Sequence, residues 1–245
     1  QEAAEHYEAA LKKEHDEDER ELYASSYLDL MTDLGRVLEA VDRVPDKNSA
    51  YEYLLVSYEE GDIALSNSEY QEITRRYYSE FPENGWAVYY RAEAMNKFDD
   101  SKGAVNLLQK YLQSSESSSD EDDEYIDTSV RSLLTTMQFS SGVEAATLLE
   151  TDHSNFSTLT NAALADERWT VVKDLIAARE PVASDDVDLL RLQARLANHE
   201  QRWDDAIETC TRAEAITRTV PEHAHLSWEF NRLLRSASLN SGQWK

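Results

Sequence analysis

Apolar residues recur at intervals of three and four along most of the chain, the period of a helix with one buried face. The clearest case lies near the carboxy terminus. Leu190, Ala194 and Ala197 form one stripe, and Trp203, Ala206, Cys210 and Ala213 form a second. Together they predict two helices joined by a short turn. The small residues Ala194 and Ala206 let the axes approach, and Trp203 fills the space beside the turn. Cys210 falls on the apolar stripe and reads as a small core residue.

The same arrangement returns upstream. The stretch ERWTVVKDLIAARE also contains an Arg-Trp pair, and Trp169 precedes Trp203 by 34 residues. Around it Phe156, Leu159, Ala163, Val172 and Ile176 keep the apolar positions, whereas Thr160 and Arg179 depart from them. A third unit begins in SEFPENGWAVYYRAEAM, where Pro82 ends one helix and Ala92, Met95, Ala104, Leu108 and Tyr111 mark the next pair. The interval from Ala92 to Ala104 equals that from Ala194 to Ala206. Phe98 stands three positions early for the turn aromatic, which predicts a distorted turn there. Residues 50–81 read as another pair, with Ser68 and Gln71 spaced as a capping box before Tyr70, Ile73, Tyr77 and Phe81. Within residues 20–44, Met31, Leu34, Leu38 and Val41 make a single amphipathic stripe.

These positions resemble the tetratricopeptide repeat family, whose 34-residue unit is a helix-turn-helix with small residues at two fixed positions and an aromatic at the turn. The resemblance implies an all-α fold: an α-solenoid of antiparallel helix pairs in a right-handed superhelix. It divides the chain into N-terminal helices over 1–49, repeats over 50–112, an acidic interruption over 113–129 and further repeats over 130–245. The final SGQWK reproduces a turn-like glycine and tryptophan spacing, so the last repeat is expected to be truncated and the natural chain to continue past Lys245. The family also implies a groove lined by the first helix of each pair. Carried over by position, Asn161, Arg191, Arg195, Asn198 and His199 face that groove, as do Tyr89, Glu93 and Lys97. Arg191 and Arg195, one turn apart, are expected to form a positive ledge suited to a carboxylate. Leu192 stands where the family's full carboxylate clamp would need a polar residue.

Charge narrows the choice of partner. Asp and Glu number 49 against 24 Lys and Arg, a formal net charge of −25. Nucleic-acid affinity comes mainly from neutralising phosphates, so a nucleic-acid partner is not expected. No apolar run is long enough to insert in a membrane. The excess acid also suits a surface kept solvated in salty or crowded surroundings. The stretch QSSESSSDEDDEYIDTS, Gln113 to Ser129, has no apolar residue before Tyr125 and predicts a mobile loop or linker. Ser117, Ser118 and Ser119 each precede an acid by three residues, the pattern of an acidophilic kinase site.

Catalytic patterns are missing. No nucleophile elbow, P-loop, dinucleotide fingerprint or HExxH motif occurs, and His223 and His225, two apart on an expected helix, would diverge rather than share a metal. The expectation is therefore a non-enzymatic interaction scaffold, without cofactor or metal, that holds a peptide or partner helix in its groove. The alternative is a regulatory or scaffolding segment of a larger multidomain protein whose activity lies outside this chain. The chain opens on Gln1 rather than Met, which implies a preceding initiator segment or signal peptide and leaves cytoplasmic and extracytoplasmic placement both open. Oligomeric state stays open as well.

Overall fold

A computed structural model describes residues 2–11, 17–115, 121–151, 155–181, 183 and 185–242. Among them there are helices and turns and no strand. The chain divides into two compact units, residues 1–137 and 138–245. The first holds α1 (Glu2–Leu11), α2 (Glu17–Asp33), α3 (Val37–Val41), α4 (Lys47–Glu60), α5 (Asn67–Glu80), α6 (Gly85–Lys97), α7 (Ser101–Ser115) and most of α8 (Glu121–Ser140). The second holds α9 (Ala145–Thr151), α10 (Phe156–Ala165), α11 (Trp169–Arg179), α12 (Val187–His199), α13 (Trp203–Thr219), a 3₁₀ turn (Pro221–Leu226) and α14 (Ser227–Ser241).

The 34-residue interval reappears as a backbone motif. Outside glycine, the described residues with positive φ are Asp99, Glu167 and Gln201, at 69°, 51° and 60°. They lie on one 34-residue lattice, and each ends the first helix of a pair. The amide of the following residue reaches back five positions in every case: Asp100 to Met95 O at 2.8 Å, Arg168 to Ala163 O at 2.9 Å, and Arg202 to Ala197 O at 2.8 Å. One left-handed residue thus closes each helix and redirects the chain into α7, α11 or α13. The turn after Phe98 shares the left-handed residue and the five-position bond with the other two, so the early aromatic does not displace it. The turn is set by the backbone of Asp99, not by which residue supplies the aromatic.

Packing follows from these turns. Ala92, Thr160 and Ala194 are fully buried, as are Ala104, Val172 and Ala206 on the second helices. Thr160 therefore serves as a small core residue despite its hydroxyl. Arg179 fits because its guanidinium lies over the Phe156 ring at 5.3 Å and donates to Asp186 Oδ2 at 2.8 Å, tying the end of α11 to the start of α12. Trp169 packs in the core of α9–α12, and Trp203 packs against Ala197, Ala206 and Ala237. In each unit the well-packed helices are neighbours or next-neighbours in chain order.

Several boundaries differ from expectation. α4 begins at Lys47, so no division falls between residues 49 and 50. The stripe over 20–44 is broken at Gly35, whose φ of 66° ends α2, and Leu34 is left 47% exposed. The capping box uses Ser66 and Glu69 instead of Ser68 and Gln71; the Ser66 amide donates to Glu69 Oε2 at 2.9 Å. Residues 113–115 complete α7 and 121–129 lie within α8, so most of the acidic stretch is helical and not a loop. Ile126, Val130 and Leu133 give α8 an apolar face against α6 and α7. Ser117, Ser118 and Ser119 lie outside the described residues. His223 and His225 sit in the 3₁₀ turn.

The lattice generates two predictions. A non-glycine residue at positive φ is strained, so Gln201→Gly should raise stability by about 0.5–1 kcal/mol and Gln201→Val should lower it by about 1–2 kcal/mol in urea denaturation. Cys210 is fully buried, and burial, with Glu214 and Glu229 nearby, pushes its thiol up to about 12. The thiol stays neutral below that pH. The folded chain should resist thiol reagents near pH 8 and react only once urea unfolds it.

Candidate functional site

In the first unit the expected face of α6 is assembled from its cap onward. Asn84 accepts from the Ala87 amide at 3.1 Å and starts the helix. A Cβ at Gly85 would collide with Ile126 Cγ2 and lie 2.6 Å from the Tyr111 hydroxyl, so glycine lets α7 and α8 close on this helix end. Trp86 follows and gathers a ring cluster. Its centroid lies 5.7 Å from Tyr89, 6.0 Å from Tyr90 and 5.9 Å from Tyr125. Tyr125 is 68% exposed.

Tyr89, Glu93 and Lys97 follow one another at four-residue spacing, on one face of the helix. Tyr89 borders a depression of about 360 Å³ whose other wall is α8, through Thr128, Ser129, Ser132, Leu133 and Thr136. Glu93 accepts from the Tyr70 hydroxyl. Lys97 Nζ donates to the Tyr58 hydroxyl at 3.1 Å and lies 5.3 and 4.9 Å from the Tyr58 and Tyr70 ring centroids. A second carboxylate, Glu59, accepts from the Tyr90 hydroxyl at 3.4 Å. Partial burial and the neighbouring Glu93 charge raise its pKa. Burial, then Glu93 and Glu59, pushes the Tyr89 phenol up to about 12.

The second unit places its expected residues differently. Arg191 Nη2 donates to Asn161 Oδ1 at 2.8 Å and pairs with Asp188 at 3.2 Å. Arg195 Nε donates to Glu229 Oε1 at 2.5 Å, and Glu229 is only 4% exposed. The ledge of free positive charge expected from Arg191 and Arg195 is therefore compensated within the chain. Glu229, on α14, follows Arg195 by 34 residues, the interval that also separates Glu167 from Gln201. Asn198 donates to Ala194 O at 3.1 Å, and the exposed His199 ring stacks on Trp169 at 4.0 Å and 11°. Arg191 Nε and Asn198 Oδ1 are buried without a hydrogen-bond partner.

Glu59, Trp86, Tyr125 and Glu229 were not singled out by sequence. The 34-residue interval would have found Glu229, and the aromatic run in GWAVYYR pointed to Trp86. Tyr125 was hidden by its acidic surroundings. Among the described residues no three His, Cys, Asp or Glu side chains gather as metal ligands, and no helix is long and apolar enough to cross a membrane. Searched against models of known protein families and against curated proteins, the sequence matches none.

Breaking the α12–α14 pair should be costly, because Arg195 would be left without its buried counter-charge. Glu229→Ala should lower stability by about 2–3 kcal/mol in urea denaturation, whereas Glu229→Gln, which keeps an acceptor, should cost less. Adding Arg195→Ala to Glu229→Ala should restore part of the loss.

Proposed function

We propose that the chain is a non-enzymatic interaction scaffold of tetratricopeptide-like helix pairs, stacked as an α-solenoid, that holds an extended peptide or a partner helix on the faces of its first helices. The recurring turn carries this proposal. Asp99, Glu167 and Gln201 end α6, α10 and α12 with the same left-handed residue and the same five-position hydrogen bond. Such a lattice repeats one surface at fixed intervals, as solenoids do, and the restriction of packing to near neighbours agrees with it. The faces so repeated carry Tyr89, Glu93 and Lys97 on α6, Asn161 on α10, and Arg191, Arg195, Asn198 and His199 on α12.

A photo-crosslinking amino acid distinguishes the faces. Placed at Lys97, Asn161 or His199, all exposed, it should capture the same partner from a cell extract. Placed at Lys110 on α7 or Glu208 on α13, also exposed, it should capture none of it. Capture only from the second helices would overturn the assignment of the binding face.

A further inference from the structure

We infer that the aromatic rings at the start of α6, with the carboxylates of Glu93 two turns along it and of Glu59 at the end of α4, form a receptor for the cationic side chain of a lysine or arginine in an extended basic segment of the partner. This rests on the scaffold role and names the charge of what the scaffold holds. Three independent features converge on one place. Tyr89 and Tyr125 bring their ring centroids within 6 Å of the Trp86 indole, and Tyr125 is 68% open to solvent. Ring faces carry negative potential and attract a weakly hydrated cation. Glu59 and Glu93 lie beside these rings, and among the described residues neither is ion-paired. Partial burial, and after it the Glu93 charge, hold up the Glu59 pKa, so a cation entering here relieves like-charge repulsion.

The chain already uses the same chemistry on itself. Lys97, two turns further along the helix, places its ammonium against the Tyr58 and Tyr70 rings, and Tyr70 in turn bonds Glu93. An ammonium is thus accommodated by tyrosines backed by a carboxylate one step from the open site. A metal ion would instead need several oxygen, nitrogen or sulfur ligands converging, and no such group of three is present among the described residues. Anions are opposed by both carboxylates and by the net charge of −25. The adjoining depression supplies room, and its α8 hydroxyls, such as Thr136, which donates to Ser132 O at 2.9 Å, keep lone pairs for the amides of an extended chain.

The test uses the full chain and an end-blocked peptide alternating glycine with lysine and arginine, titrated calorimetrically at about 0.1 M salt, where exposed charges are partly screened. Tyr125→Ala removes an exposed ring, and Glu93→Gln keeps an acceptor for Tyr70, so both should fold, as helix content will report. Each should weaken peptide binding about five- to tenfold. Glu208→Gln, which removes the same charge from an exposed position on α13, should leave binding unchanged. Absence of saturable binding, an unaltered affinity in Tyr125→Ala, or an equal loss in Glu208→Gln would each overturn the proposal. If first-helix crosslinks persist while the basic peptide fails to bind, the cation receptor falls and the scaffold stands. If crosslinks come only from the second helices, the scaffold assignment falls instead.

Discussion

Everything in the fold depends on how its helices end. A helix leaves its last carbonyls unpaired, and a left-handed residue turns the next amide back to satisfy one of them. Here Asp99, Glu167 and Gln201 adopt that conformation without being glycine, and accept its strain. The bond back to the Met95, Ala163 or Ala197 carbonyl fixes where the following helix begins. Once that direction is fixed, Ala92 and Ala104, or Ala194 and Ala206, are buried together. The residues four apart on the remaining face of the first helix are then left for other uses.

Acidic residues have a second occupation besides solvation. In the first unit, phenol hydroxyls donate to carboxylates across helices: Tyr27 to Glu8 at 3.0 Å, Tyr51 to Glu80 at 3.0 Å, Tyr53 to Asp29 at 2.8 Å and Tyr77 to Glu52 at 2.7 Å. Each lets a large ring pack inward while its polar end finds a carboxylate acceptor. In the second unit arginines take that place, as in Arg179 with Asp186 and Arg195 with Glu229. Some of the acids are thus structural fastening.

The helical class and the buried alanine pairs were legible because both depend on periodicity, which a sequence displays directly. The left-handed turns were not, since Asp, Glu and Gln carry no glycine signal at those positions. The acidic stretch misled because its composition resembles a linker, whereas Ile126, Val130 and Leu133 recur at helical spacing and pack against α6 and α7. Family position placed Tyr89, Glu93 and Lys97 together on one face, but it could not show what their side chains touch. Arg195 looked free because its partner is one whole interval away. Only the folded chain brings Trp86 and Tyr125 to the same spot, through the missing Cβ of Gly85.

Near-neighbour packing within each unit has a consequence for how such a chain is assembled and altered. No well-packed pair of described helices there closes a long loop of sequence, so little entropy is spent in bringing its parts together, and each turn can form as soon as its two helices exist. A defect at one turn should stay confined to the helices beside it. By the same token, a whole helix pair could be duplicated or lost in evolution with only two junctions to repair, which lets the number of pairs change while their local chemistry is kept.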